Sequence, residues 1–177
     1  MIEAGEGAQL WRFSLDLYSK APMQQACLAW QHEFNIDINQ FLYAIWQSSR
    51  QVQLHIDDVQ RLIQMVHIWR QDIVLPLRRV RKRLQTYPGF ESGAVNADSF
   101  APAKLYQGVL EQEIEAEHYQ QLEMAAMALP QSVREEVDFP ILVKRNIATY
   151  LAAEGHVIDN IERRLEVLVS TIQVCQR

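Results

Sequence analysis

The residues with the clearest metal-ligating spacing lie in the second half of the chain, where Glu115 and His118 form a Glu-x-x-His sequence. Di-iron helical bundles carry this pair on two helices and complete the site with two further glutamates. The sequence holds no second such pair, because Glu154 stands at the wrong spacing from His156. We therefore predict no metal site and no cofactor.

Other common catalytic motifs are also missing from the sequence. It has no Gly-rich phosphate loop, no Gly-x-Ser-x-Gly elbow and no His-Glu-x-x-His segment. These absences favour a protein that is not an enzyme, and no catalytic residue is assigned. The alternative is a small-molecule or metal-binding helical-bundle enzyme, with Glu113, Glu117 and His118 in a pocket between helices.

The most strongly charged segment is a run of five cations interrupted by Val80. The cations are Arg78, Arg79, Arg81, Lys82 and Arg83. On a helix at about 100° per residue they fall opposite the apolar side. That apolar side consists of Ile73, Leu77, Val80 and Leu84. Such a basic face is either simply solvated, or it docks on an acidic protein, on RNA phosphates or on an anionic lipid surface. Aromatic residues, which single-strand binders use for stacking, are not interleaved with it.

An acidic counterpart lies on the helix predicted over 102–129. Glu113 and Glu117 fall on its apolar side, whereas Glu111 and Glu115 point elsewhere. A carboxylate turned inward must be paired or hydrogen-bonded. The arginines at the margin of the basic segment, Arg78 and Arg81, are the natural partners. We predict a half-buried Arg–Glu seam that sets the register of the two helices.

Asp37 and Asn39 form a second polar pair, next to a segment rich in aromatic residues. Asp37 suits the N-cap of a helix, since its carboxylate can accept the free N–H groups of the first turn. The alternative is a small binding site, and the sequence favours the cap.

Length and composition predict one all-α domain over 1–177. Apolar residues make up 49% of the 177 residues, enough for a core, and Gly and Pro number only six each. No apolar window is long enough to span a membrane, and the acidic N-terminus does not resemble a signal peptide. Cys27 and Cys175 form no disulfide framework, which indicates the reducing cytoplasm. The net charge of −5 argues against a dedicated nucleic-acid binder.

The apolar periodicity predicts a single compact bundle of about six or seven helices. The predicted helices cover 7–19, 22–33, a segment capped by Asp37, 57 or 58 to about 84, 102–129, 138–154 and a last one from 157. Within the long fourth helix, Pro76 should remove a backbone hydrogen bond and produce a kink. Residues 88–101 are predicted to be irregular.

The N-terminal two thirds resemble a known family. The similar segments are Leu10-Trp11-Arg12-Phe13-Ser14-Leu15-Asp16-Leu17-Tyr18, Ala26-Cys27-Leu28, Asp37-Ile38-Asn39, Phe41-Leu42-Tyr43, Trp69, Pro76-Leu77-Arg78 and Gln120-Gln121. They resemble a proteobacterial family of small helical proteins described as domain of unknown function 2390, over about residues 10–125. The resemblance implies a bacterial cytoplasmic helical protein and carries no catalytic residue. This sequence has Asn35 near the place of a family glycine, and asparagine tolerates the left-handed conformation.

Together these features predict a non-enzymatic cytoplasmic interaction or regulatory module with a protein partner. The first alternative is an RNA- or ribosome-associated factor that uses the basic face. The second is the helical-bundle enzyme described above. The sequence predicts no membrane association and leaves the oligomeric state open.

Overall fold

The computed structural model of the protein describes residues 5–87, 102–156 and 161–175. The segment 88–101 and the predicted start of the last helix at Val157 lie outside the described residues. The described elements are α1 (Glu6–Tyr18), α2 (Ala21–Phe34), α3 (Ile38–Ser49), β1 (Val52–Gln53), α4 (Ile56–Trp69), a π-helix (Arg70–Val74), α5 (Leu75–Gln85), α6 (Pro102–Ala126), β2 (Val133–Arg134), α7 (Phe139–Ala153) and α8 (Glu162–Cys175). The all-α prediction is confirmed. The two short strands form one antiparallel pair, with Val52 opposite Arg134.

The described part of the chain forms two compact units. Unit 1 comprises residues 1–65 and 121–177, and unit 2 comprises 66–120. The chain passes from one unit to the other within α4 and returns within α6. The prediction of a single domain over 1–177 stays a prediction.

The core of unit 1 is built around α3. Every residue from Asn39 to Ser48 on this helix is buried, because α1 and α7 both pack against it. Helix α1 contributes Leu10, Ser14 and Leu17, which follow the i, i+4, i+7 spacing of one helical face. Helix α8 packs against α2 and α7. Because the helix is buried along this whole length, its sequence consists almost entirely of apolar and amide residues.

Asn146 joins three elements of this core. Its Nδ2 donates to Ser48 Oγ at 2.9 Å and to the carbonyl oxygen of Val52 at 2.8 Å. Its Oδ1 accepts the backbone N–H of Leu54 at 2.9 Å. A fully buried amide with its donors and acceptor bonded in this way fixes α7 against α3 and β1.

Left-handed residues follow the ends of three helices, with Asn35 after α2, Gln51 after α3 and Gly155 after α7. Asn35, which follows α2, has φ 50° and ψ 32°, so the turn before α3 forms with asparagine in the conformation that glycine favours. Gly155 has φ 83° and directly follows Glu154, the C-cap of α7.

Unit 2 consists of a long, interrupted helix and the larger part of α6. The interruption predicted at Pro76 takes the form of a π-helix over Arg70–Val74, which α5 follows directly. The backbone N–H of Leu75 donates to the carbonyl of Arg70, five residues back. Contacts that advance along α5 retreat along α6, so the two helices are antiparallel.

Candidate functional site: the α5–α6 seam and the basic residues of α5

Glu113 is the centre of the seam between α5 and α6. Its side chain is only 5% exposed, and its two carboxylate oxygens accept hydrogen bonds from two arginines. Arg78 Nε donates to Oε1 at 2.9 Å. Arg81 donates through Nε to Oε2 and through Nη2 to Oε1, the latter at 3.2 Å. Arg78 also reaches the Glu117 carboxylate through Nη2. The four side chains thus form one charge-balanced network.

Opposing effects act on the ionisation of this network. Burial alone would raise the pKa of Glu113, but the hydrogen bonds from Arg81 and Arg78 hold that pKa below its ordinary value. The same bond to Glu113 raises the pKa of Arg81. Glu113 and Arg81 are therefore both charged at neutral pH, and the carboxylate is stabilised by its cations despite its burial.

Aromatic residues hold the seam at both of its ends. The Trp69 indole N–H donates to the carbonyl of Ala116 at 2.9 Å, and its ring lies 4.5 Å from that of Tyr119. At the other end, Gln85 Nε2 donates to Tyr106 Oη at 3.1 Å. These contacts fix how far α5 can slide along α6, and therefore which arginine faces which glutamate.

The basic residues of α5 divide into two groups. Arg78 and Arg81 are turned toward the seam, with side chains only 20% and 19% exposed. Arg79, Lys82 and Arg83 are exposed, and among the described residues they form no ion pair. The face predicted from five cations therefore consists of three at the surface.

The predicted apolar side of this helix is wrong at two positions. Ile73 and Val80 are 38% and 48% exposed rather than buried. The reason is the π-helix, which fits one extra residue into a turn and so rotates everything after it by about 100° relative to a regular helix. Val74 is buried in place of Ile73. This rotation also brings Arg78 and Arg81 to the inner side.

The residues proposed for a metal-binding alternative are engaged elsewhere. Glu113 and Glu117 bind Arg78 and Arg81, as described above, and Glu115 is exposed. His118, three residues on, is only partly buried. Within residues 5–87, 102–156 and 161–175, no three His, Cys, Asp or Glu side chains are grouped to hold a metal ion.

Asp37 is the N-cap of α3. Its Oδ1 accepts the backbone N–H of Asn39 at 2.8 Å and that of Gln40 at 3.4 Å. The backbone N–H of Asp37 donates to Tyr150 Oη at 3.1 Å, and Asn39 Oδ1 accepts from Gln121 Nε2 at 2.8 Å. The pair thus caps one helix and ties it to residues of α6 and α7.

Asp58 is a buried carboxylate whose role in the structure differs from the one that the sequence predicts. The sequence predicts that Asp57 or Asp58 begins the fourth helix, but α4 begins at Ile56. Asp58 Oδ2 accepts the backbone N–H of Gln131 at 3.0 Å and both the N–H and the hydroxyl of Ser132 at 2.7 Å, and Arg61 binds Oδ1. Burial would raise the pKa of Asp58, but these bonds hold it below the ordinary value.

Ser132, Asp58 and the nearby His55 do not form a catalytic triad. The Ser132 hydroxyl donates to Asp58 and accepts the backbone N–H of His55, not a ring nitrogen, at 3.0 Å. The histidine Nδ1 instead accepts the backbone N–H of Asp57 at 3.3 Å. The Ser132 hydroxyl thus faces a carboxylate and not the imidazole that a Ser–His–Asp triad requires. The cluster fastens the loop before β2 to α4.

None of the described helices combines the length and the apolar character needed to cross a membrane. Comparison of the chain with curated proteins and with solved structures gives no match. A family model described as "Protein of unknown function (DUF2390)" matches residues 9–124, which include most of α1, all of α2 to α5 and most of α6. This range agrees with the resemblance found in the sequence, and it contains the whole Arg–Glu seam. The chain belongs to this family of proteins of unknown function.

Proposed function

We propose that the protein is a non-enzymatic interaction module, bacterial and cytoplasmic, that binds an acidic protein partner through Arg79, Lys82 and Arg83. One observation carries the proposal. Glu113 and Glu117 neutralise two cations of α5, whereas the other three are exposed without an ion pair among the described residues.

The spacing of the exposed cations supports a partner of opposite charge. Arg79 lies three residues before Lys82 and four before Arg83, and like charges at these spacings destabilise a helix by about 0.2–0.5 kcal/mol per pair. The dipole of α5 favours Lys82 and Arg83 in its last turn, but Arg79 lies too far from that end to benefit. Carboxylates from a partner would offset the repulsion at all three positions.

The arginine partners of both glutamates in the seam argue against a catalytic role for these carboxylates. Each carboxylate of Glu113 and Glu117 accepts from arginine, and an arginine does not exchange protons near neutral pH. A carboxylate held ionised by such donors is a poor general acid or base for this pH range. The two cysteines are free, which supports a reducing compartment.

Affinity capture with a charge-reversed variant tests the proposal. Immobilised wild type, Arg79→Glu/Lys82→Glu and the control Arg134→Glu/Arg163→Glu would be exposed to a lysate of cells that produce the protein. The control reverses two other exposed cations, so it changes the net charge equally. We expect proteins captured by wild type and by the control to be missing from the Arg79→Glu/Lys82→Glu sample.

Two results would contradict the proposal. Recovery of the same proteins by all three baits would show that the basic residues of α5 are not the binding surface. Capture that nuclease treatment abolishes would assign the surface to nucleic acid instead, and such binding should weaken steeply as salt is raised. Far-UV circular dichroism of each variant confirms that a loss of capture is not a loss of the fold.

A further inference from the structure

Three large apolar side chains are exposed between positions 68 and 80 of the helix that α4, the π-helix and α5 form together. Ile68 is 70% exposed, Ile73 is 38% exposed and Val80 is 48% exposed. Single exposed apolar residues are common on soluble proteins. A row of them along one helix is a different case, because exposed apolar side chains that lie together mark interaction sites.

The π-helix brings these three side chains into one row. Ile68 and Ile73 are five residues apart across the π-helix, and π-helical hydrogen bonding brings residues i and i+5 into line. Ile73 and Val80 are seven residues apart, about two α-helical turns. In an uninterrupted α-helix, Ile68 and Ile73 would instead differ by about 140°. We call Ile68, Ile73 and Val80 the apolar row.

The apolar row has a cationic border at its α5 end. Arg83 follows Val80 by three residues, and Arg79 lies one turn before Arg83, so both stand on the same side of the row. At the other end, Asp72 is exposed close to Ile68. The π-helix also contains the part-buried cation Arg70, so the surplus of exposed positive charge lies at the α5 end.

We propose that the apolar row and its cationic border form the binding site for an amphipathic acidic helix of the partner protein. The inference rests on the proposed function and deepens it, since it names the kind of segment that binds. An amphipathic partner helix would place its apolar residues at i, i+3, i+4 and i+7 against such a row. Its carboxylates face Arg79 and Arg83 while its apolar side covers Ile68, Ile73 and Val80.

The size of the row sets the length of the ligand and the strength of binding. From Ile68 to Arg83 the helix extends about 23 Å, which a partner helix of about 16 residues covers. Three apolar side chains and two cations are few beside the roughly 20–30 residues a side of a stable interface, so we expect weak, reversible binding. Such weak binding suits a module that associates with its partner transiently.

A designed peptide provides a direct test with the full chain. The probe is a fluorescent helix of about 16 residues with leucine along one side and glutamate beside it, and the control peptide carries lysine in place of each glutamate. Anisotropy titrations would compare wild type with Ile68→Ser/Val80→Ser and with Arg79→Glu/Arg83→Glu. Ile141→Ser, at an isoleucine on α7 that is 44% exposed, is the control.

We expect the acidic peptide to bind wild type and the Ile141→Ser variant equally. Binding should be about tenfold weaker in each of the two double variants, and the lysine peptide should not bind. If Ile68→Ser/Val80→Ser retains the wild-type affinity while Arg79→Glu/Arg83→Glu loses it, the apolar row is not part of the peptide-binding site, although the proposed function stands. Absence of binding to wild type would overturn this inference too, whereas the capture experiment decides the proposed function separately.

Discussion

Replacement of Glu113 by glutamine is the most direct perturbation of the α5–α6 seam. The substitution keeps the size of the side chain but removes the charge that Arg78 and Arg81 share. It also turns one acceptor into an N–H₂ group that faces guanidinium donors. Removal of one partner from a buried ion pair costs about 3–5 kcal/mol. Because the two arginines remain about one fifth exposed, water can restore part of their solvation, and we expect a loss of about 2–3 kcal/mol.

Urea unfolding followed by far-UV circular dichroism measures this loss as a change in the free energy of unfolding. Glu115→Gln is the matched control, because Glu115 is an exposed glutamate on the same helix, two residues away. It should change the free energy by less than about 0.5 kcal/mol. In the Glu113→Gln background, Arg81→Met should recover part of the stability, because it removes a cation that has lost its counter-charge.

The reasoning predicts an order among these variants as well as a magnitude. Glu113→Gln must be the least stable, the double variant intermediate, and Glu115→Gln close to wild type. Equal stability of Glu113→Gln and Glu115→Gln would refute the claim that the seam stabilises unit 2. A double variant less stable than Glu113→Gln would show that Arg81 contributes mainly through packing of its aliphatic part.

Three further predictions concern unit 1. The pKa of Asp58 is lowered in the folded state, so its stabilising contribution is complete above the ordinary value of 3.8 and is lost as the pH falls through the folded-state value. The Asp58→Asn variant should therefore show a flatter dependence of the unfolding free energy on pH between about 5 and 3. It should also show faster amide hydrogen exchange at Ser132. Burial raises the pKa of the Cys27 thiol to about 12, so iodoacetamide at pH 8 should label Cys175 and not Cys27 in the native protein. Asp37→Ala removes the cap of α3 and should lower the free energy of unfolding by about 1–2 kcal/mol.

Each of these predictions has a control on the same chain. Asp57→Asn changes the exposed neighbour of Asp58 and should leave both the pH dependence and the exchange at Ser132 as in wild type. Labelling of both cysteines in urea shows that native Cys27 is protected by the fold, and rapid native labelling would contradict its burial. Asp37→Asn, which retains a capping oxygen, should lose less stability than Asp37→Ala, and equal losses would assign the effect to charge.

The parts of the structure that depend on local periodicity could be predicted from the sequence. Helix α6 is uninterrupted, so its wheel correctly separates the inward Glu113 and Glu117 from the exposed Glu111 and Glu115. An inward carboxylate requires a cation, and this requirement alone points to the arginines of the neighbouring helix. The cap at Asp37 is equally local, because the Asp37 carboxylate binds the backbone N–H groups of the first turn that follows it.

Two features could not be predicted because their causes are not local. The sequence near Pro76 indicates an interruption. Whether the helix kinks or forms a π-helix depends on which of the side chains after the interruption must be buried. The choice of a π-helix reverses the burial of Ile73 and Val74. The role of Asp58 depends on Gln131 and Ser132, more than seventy residues away in the chain, and no spacing rule joins positions so far apart.

The π-helix also has a consequence for chain length. It amounts to one residue inserted into an α-helix, so a relative with one residue fewer between positions 70 and 74 would retain every downstream side chain in its present orientation. Regular α-helix in that place would press the Pro76 ring against the carbonyl four residues before it. We therefore expect single-residue shortening here to occur together with loss of the proline, and the alignment of natural relatives to show the two changes as one linked event.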